Sequence, residues 1–231
     1  MRTLVVGDVH GCLRELEALL EKLELRPDSD RLVLVGDLVA KGPDSRGVVK
    51  LARTLGAVTL RGNHDEHVLR WRRAVEAGER PPELGRSHRE VCEALDDDDW
   101  AYLAATPTWR RFDDARPDGL IVVHAALDPR RPLEAQREDD LLNGRSIRPD
   151  GSVSKRLEDG VPWASLWPGP ELVVFGHDAV RKLQRHPHAI GLDTGCVYGG
   201  ALTGVIVGDE RLEIQSVPAA RVYSEPKGAP R

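Results

Sequence analysis

Cysteine is scarce in this 231-residue chain: Cys12, Cys92 and Cys196 are odd in number, scattered, and form no CxxC pair. That argues against a disulfide framework or a structural zinc knuckle and suits a reducing, cytoplasmic setting. Long apolar runs are missing too, since no stretch approaches the roughly 18–20 residues of a membrane span. The opening MRTLVVGDVHG passes from a short apolar segment straight into polar residues, without the h-region and cleavage site of a secretory signal. There is no excess of basic residues, with 33 Lys and Arg against 38 Asp and Glu and a net charge of −5. Surfaces built for non-specific nucleic-acid binding are normally basic, so the expected partner is a small anionic molecule met in a local pocket. Neither an internal repeat nor an inter-domain linker is visible, and the length suffices for one domain with a substantial core.

What is present is a recurring unit, a short apolar run that passes directly into small and polar residues. Thr3–Val6 leads into Gly7-Asp8, Leu32–Val35 into Gly36-Asp37, and Ala57–Leu60 into Arg61-Gly62-Asn63-His64. Leu120–Val123 leads into His124, and Leu172–Phe175 into Gly176-His177. Such runs, bounded by turn residues, predict buried strands. Between them, Cys12–Leu25, Asp44–Leu55 and Asp65–Glu76 predict helices, the first from Leu13, Leu16, Leu19, Leu20 and Leu23 at helical spacing. Strands alternating with helices imply a βαβ arrangement for the first eighty residues.

Residues 78–119 predict helices over Glu90–Leu95 and Asp96–Ala105, the second with an acidic start that suits a helix N-terminus. Residues 128–170 are rich in Pro, Gly and charge and predict a functional loop, a lid or a partly disordered segment. Ala189–Asp193, Ala201–Val207 and Arg211–Val217 predict strands, the last two joined by a Gly208-Asp209-Glu210 turn, and Ser224–Arg231 a frayed tail. The expected organisation is a single domain over residues 1–223, with insertions at 78–119 and 128–170.

In open α/β sheets, ligands bind beyond the carboxyl ends of strands. Five predicted strands deliver Asp8 and His10, Asp37, Asn63 and His64, His124, and His177 to that edge. Singly, a Gly-Asp after a strand is a turn and a histidine a packing residue; together they form a donor set. Carboxylate, imidazole and amide donors without thiolate suit two divalent transition metals, manganese before iron, cobalt, nickel or zinc. Two such ions, about 3.5–4 Å apart and bridged by one carboxylate, clamp the attacking and leaving oxygens of an in-line displacement. Because Asn63 is neutral, a net positive charge remains to attract phosphate.

Gly7-Asp8-Val9-His10-Gly11, Gly36-Asp37-Leu38-Val39 with Gly42-Pro43, Gly62-Asn63-His64-Asp65, His124 and His177 resemble the calcineurin-like metallophosphoesterases, in their phosphoprotein-phosphatase branch. Gly176-His177-Asp178, Gly191-Leu192-Asp193-Thr194-Gly195-Cys196 and Gly199-Gly200 are similar to bacterial symmetrical diadenosine tetraphosphate hydrolases and diadenosine-tetraphosphatase-like phosphatases. The resemblance implies an α/β fold, a two-sheet β-sandwich flanked by helices, with helical and loop insertions over the site. It further implies Asp8, His10 and Asp37 on one metal, and Asp37, Asn63, His124 and His177 on the other. His64 is then the general acid and a metal-activated hydroxide the nucleophile.

This chain has Ala40-Lys41 where the protein phosphatases of that branch have Asp-Arg, which counts against a protein substrate and leaves open what orients His64. Lys41 can serve as a point charge for phosphate, and Arg145, Arg148 and Arg181 are further candidates for contact with polyphosphate. Trp163 and Trp167 could stack on a base or anchor the loop. His88, His186 and His188 read as surface residues, and Cys12 and Cys196 as buried small ones. The expected activity is cleavage of dinucleoside polyphosphates, typically diadenosine tetraphosphate to two ADP. The alternatives are a phosphomonoesterase acting on proteins or small molecules, capped RNA ends as substrate, or a non-catalytic metal-binding scaffold. Oligomeric state has no sequence signal.

Overall fold

The computed structural model describes residues 1–208 and 211–225. Asp209 and Glu210 of the expected turn, and residues 226–231 of the expected tail, lie outside them.

In chain order, Thr3–Val6 (β1), Leu13–Lys22 (α1), Arg31–Leu34 (β2), Ser45–Thr54 (α2), Val58–Thr59 (β3) and Asn63–Glu76 (α3) alternate strand and helix. β1 pairs in parallel with β2, and β2 with β3. The next segment forms Arg86–Ala94 (α4), Asp97–Ala104 (α5) and Trp109–Phe112 (β4), followed by Leu120–Val123 (β5). Residues 128–170 form a helix at Glu138–Asn143 (α6) and three short strands, Ser146–Ile147 (β6), Val153–Ser154 (β7) and Val161–Pro162 (β8). The chain continues through Leu172–Phe175 (β9), Gln184–His186 (β10), Ala189–Gly191 (β11), Ala201–Val207 (β12) and Leu212–Pro218 (β13).

Two five-stranded sheets result, in the orders β13-β12-β1-β2-β3 and β10-β11-β9-β5-β4, with a third, small sheet β7-β6-β8. Alternate side chains of each strand point to opposite faces, and the packing follows that rule. Val5, Val33 and Val205 of the first sheet meet Val122, Val174 and Ile190 of the second in an inter-sheet core. Leu4, Val6, Leu32 and Leu34 face the other way, onto Leu16, Leu19, Val48, Val68 and Leu103 of the helices. The outer face of the second sheet, with Ile121, Val123, Val173 and Phe175, is covered by Leu141, Ile147 and Trp163. The central strands are thus buried on both sides, which is why they read as unbroken apolar runs rather than alternating ones. The two-sheet sandwich flanked by helices agrees with the expectation.

Trp163 packs against Phe175 with ring centroids 4.8 Å apart and is 2 % exposed. Trp167 donates its indole N–H to the Glu171 carbonyl. Both anchor the 128–170 segment to the second sheet, and base stacking by Trp163 is corrected on that ground.

Candidate metal centre

The carboxyl ends of β1, β2, β3, β5 and β9 converge because glycines let them. A Cβ on Gly62 would lie 2.1 Å from both the amide nitrogen and Oδ1 of Asp37, and one on Gly176 would lie 2.0 Å from Asp8 Oδ1. Backbone bonds tie the ends together, His10 N–H to the Asp37 carbonyl at 2.7 Å and Gly176 N–H to that of His124 at 2.9 Å. Among the described residues seven non-glycines have positive φ, and five of them are His10, Asp37, Ala40, Lys41 and His177. Concentration of this costly conformation at one edge marks a site held by the surrounding structure.

Two groups of donor atoms form there, each lying within 4.8 Å: His10, Asp37 and His64, and Asp37, His124 and His177. Asp37 belongs to both, as a bridging carboxylate must. Its Oδ2 is 3.3 Å from His10 Nε2 and its Oδ1 3.6 Å from His124 Nε2. Asn63 Oδ1 lies 3.2 Å from His124 Nε2. The Asp8 carboxylate accepts the His177 backbone N–H at 3.0 and 3.2 Å, one oxygen each. His64, one residue beyond Asn63, stands in the compact group with His10 and Asp37, while Asp8 is tied to that edge through His177.

The donors fit divalent metal ions by three tests. His177 Nε2 is buried and has no hydrogen-bond partner, an arrangement that costs about 1–3 kcal/mol unless something binds its lone pair. His10 and His124 each turn Nδ1 toward a backbone carbonyl, of Val39 and Val35 respectively, both at 3.1 Å. That is the outer-shell bond by which metal-ligating imidazoles fix their tautomer, leaving Nε2 as the lone pair. Lys41 Nζ lies 2.9 Å from His10 Nε2, so a cation is already tolerated beside this donor.

Electrostatics agree. Burial first, then the Asp193 and Asp37 carboxylates, push the Asp8 carboxyl well above its ordinary value. Burial opposes ionisation of Asp37, but His124, His10 and Lys41 together hold its carboxyl below the ordinary value. Burial holds His10 and His177 well below the usual imidazole range, helped by Lys41 at His10 and by His124 at His177. Burial also lowers His124, against the pull of Asp37. Neutral imidazole is the form that ligates metal. For His64, burial followed by Lys41 and His88 brings the value down to about 2.

Asp65 does not reach His64. Its Oδ1 accepts the backbone N–H groups of Leu38 and Val39 at 3.0 and 3.3 Å, and its Oδ2 that of Gly62 at 2.9 Å. Asp65 therefore clamps the Asp37 loop to the start of α3, a role signalled only by a carboxylate three residues after Gly62. The reading of His88 as a surface residue is corrected: it is half-buried, and its Nε2 lies 2.9 Å from His64 Nδ1.

The three arginines differ. Arg181 donates to Asp178, Ser146, and the carbonyls of Arg145 and Leu157. Arg148 donates to Asp159, Ser152, Ser154 and the Val153 carbonyl. Both are struts of the 128–170 segment, which revises the expectation that they grip phosphate. Arg145 binds the carbonyls of Lys155 and His177, the latter a metal-donor residue.

Beside the donors lies a cavity of about 410 Å³ lined by Asn63, His64, His67, Arg70, His88 and Lys155, among others. A larger one of about 570 Å³, bounded by Trp71 of α3, Leu84, and Arg89 and Cys92 of α4, is lined by none of the residues of the candidate centre. Cys12, Glu15 and Cys196 also cluster. There Glu15 Oε1 accepts the Ala220 N–H and the Tyr223 hydroxyl, and Cys12 donates weakly to the His10 carbonyl.

A protein from Erwinia tasmaniensis named symmetrical bis(5'-nucleosyl)-tetraphosphatase is 30% identical, over 93% of this chain and 97% of its own length. One of the same name from Pectobacterium carotovorum subsp. carotovorum is 31% identical over 94% and 95%. A crystal structure provisionally described as a diadenosine tetraphosphatase has 41% identity and a TM-score of 0.82, covering 94% of this chain and 93% of its own. A protein serine/threonine phosphatase from Saccharomyces cerevisiae, at 15% identity and TM-score 0.64 over 98% and 82%, shares the fold alone. The model of the calcineurin-like phosphoesterases matches residues 1–199, and the chain belongs to that family.

Proposed function

We propose that this protein is a two-metal phosphohydrolase that cleaves dinucleoside polyphosphates symmetrically, diadenosine tetraphosphate giving two ADP. The observation that carries the reading is the sharing of Asp37 between two histidine groups, one of which leaves His177 Nε2 without a partner. Asp8, His10 and Asp37 would hold one divalent cation, and Asp37, Asn63, His124 and His177 the other, with manganese the favoured metal. When bound, the pair supplies an activated water and neutralises the charge that develops on phosphate.

This chain's own residues do the rest. The buried walls around Asp37 and His124 keep bulk water from the donors, which strengthens every electrostatic contact made there. Lys41 offers phosphate a point charge, its ammonium lying 5.2 Å over the Tyr198 ring and 2.9 Å from His10 Nε2. Arg145, fixed beside His177, is the second cation for phosphate. His64 protonates the departing phosphate oxygen. The anionic substrate next to that ring opposes the depression of its pKa and so favours the imidazolium that can give up a proton. The leaving nucleotide would sit in the cavity beside His64, whose wall carries Arg70 and Lys155 with their ion-pair partners Glu66 and Asp139.

The names of the curated relatives support the substrate, and the three unpaired cysteines support a cytoplasmic setting. No helix among the described residues is long and apolar enough to cross a membrane. The test is product analysis after incubation with manganese and diadenosine tetraphosphate, a phosphopeptide, or an aryl phosphate. Two ADP as the preferred product is expected. AMP with ATP, or a strong preference for either other substrate, would reverse the assignment. Asp37→Asn is expected to fold and to lose activity.

A further inference from the structure

We propose that His88, carried by α4, is the positioning residue for His64, occupying the role that Ala40 cannot fill. The inference rests on the reading of His64 as general acid. His88 Nε2 and His64 Nδ1 are 2.9 Å apart, their ring planes diverge by 9°, and their centroids are 5.0 Å apart. Face-to-face packing keeps ring atoms about 3.5–4.0 Å apart, so a 2.9 Å contact between parallel rings places them edge to edge. That is the in-plane approach a ring N–H···N bond requires.

Each ring also meets a second histidine. His10 meets the His64 ring edge-on at 4.9 Å, and His67, one turn along α3, meets the His88 ring edge-on at 4.8 Å. His64 is thus fixed between a metal-donor histidine and His88, with Nδ1 engaged and Nε2 left for the substrate. The bond also explains why an insertion helix docks here, since α4 packs on α3.

The protons balance when His88 keeps its own proton on Nδ1 and accepts at Nε2. In the imidazolium form, His64 donates Nδ1–H to His88 Nε2 and presents Nε2–H to the leaving oxygen. As the P–O bond breaks, that oxygen takes the Nε2 proton and His64 becomes neutral, still donating Nδ1–H to His88. A wrongly held tautomer would instead place a lone pair on Nε2 and prevent the transfer. Orienting groups of this kind act through geometry and tautomer, not by taking the proton themselves.

The test compares His88→Ala, His88→Gln and His88→Asn with wild type and His64→Ala. A glutamine oxygen reaches the position of Nε2, whereas an asparagine oxygen reaches only that of Nδ1. Glutamine is therefore expected to restore most of the turnover that alanine and asparagine lose, a loss of about 10–100-fold in kcat with KM little changed. With aryl phosphates of graded leaving-group pKa, the loss should grow as the leaving group worsens, and added imidazole should rescue His88→Ala. Independently of activity, ¹⁵N spectra of the metal-free and zinc-loaded protein should show His64 as the Nδ1–H tautomer in wild type and as a mixture in His88→Ala. Equal turnover of the glutamine and asparagine variants, or an unchanged His64 tautomer in His88→Ala, overturns the proposal. If His64→Ala itself shows no leaving-group dependence, the general-acid reading fails instead.

Discussion

A single methyl group at Gly176 should disable the centre. The residue's φ is not positive, so alanine meets no resistance from its own backbone. Its Cβ, however, would lie 2.0 Å from Asp8 Oδ1 and 2.7 Å from Val35 Cγ2. If the carboxylate stays, the site is overpacked, at a cost of about 1–3 kcal/mol. If it turns away, the buried His177 N–H loses its contacts at 3.0 and 3.2 Å, and an unsatisfied buried donor costs about 1–3 kcal/mol. These costs are alternatives, so Gly176→Ala should lose about 1–3 kcal/mol and, at roughly 2–4 °C per kcal/mol for a chain of this size, melt about 2–12 °C lower. The displaced carboxylate should weaken manganese binding at least 10–100-fold, roughly the effect of disturbing a ligand's support. Scanning calorimetry and manganese titration read both effects. Gly85→Ala is the control, because nothing lies within 4 Å of its Cβ. A Gly176→Ala protein that binds metal as tightly as Gly85→Ala would refute the reasoning.

Other expectations follow from single residues. Asp65→Ala leaves three buried N–H groups of Leu38, Val39 and Gly62 without their acceptor and should cost about 2–4 kcal/mol together with most activity, read by denaturant melts and kcat. Arg181→Ala removes the strut between Asp178 and Ser146 and should lower stability by about 1–2 kcal/mol while leaving KM within threefold; a large KM rise would restore Arg181 as a phosphate ligand. At Asp128, burial opposes ionisation, but Arg130 and Arg131 outweigh it and hold the carboxyl below its ordinary value. That contribution is present above the unfolded value of about 3.9 and is lost as pH falls through the lower folded one. Asp128→Asn should therefore be about 1 kcal/mol less stable at neutral pH, with a flatter acid limb below about pH 4 in urea melts.

Legibility in the sequence tracked burial and chain distance. Thr3–Val6, Leu120–Val123 and Leu172–Phe175 were readable to the residue because both their faces are buried. The same property hid the sandwich, since a strand apolar on both faces does not say which face meets a second sheet. Trp109–Phe112 was missed because an edge strand can carry exposed Arg110 and Arg111, and Gln184–His186 because it too is an edge strand rich in polar residues. The two-residue strands around Ser146, Val153 and Val161 are too short for any periodicity. The candidate metal-donor residues were legible because each lies within four residues of a strand end. His88 was not, because its meeting with His64 depends on how α4 docks on α3, a contact 24 residues apart in sequence.

Everything proposed for the site requires Asp37 to serve two cations at once. Titration of manganese into wild type, His10→Ala, His177→Ala and Asp37→Asn, read as ions bound per chain, tests this directly. Two ions are expected in wild type, one in each histidine variant, and greatly weakened binding at both positions in Asp37→Asn. Saturation of wild type at a single ion, or two ions held by Asp37→Asn with undiminished affinity, would contradict the shared carboxylate.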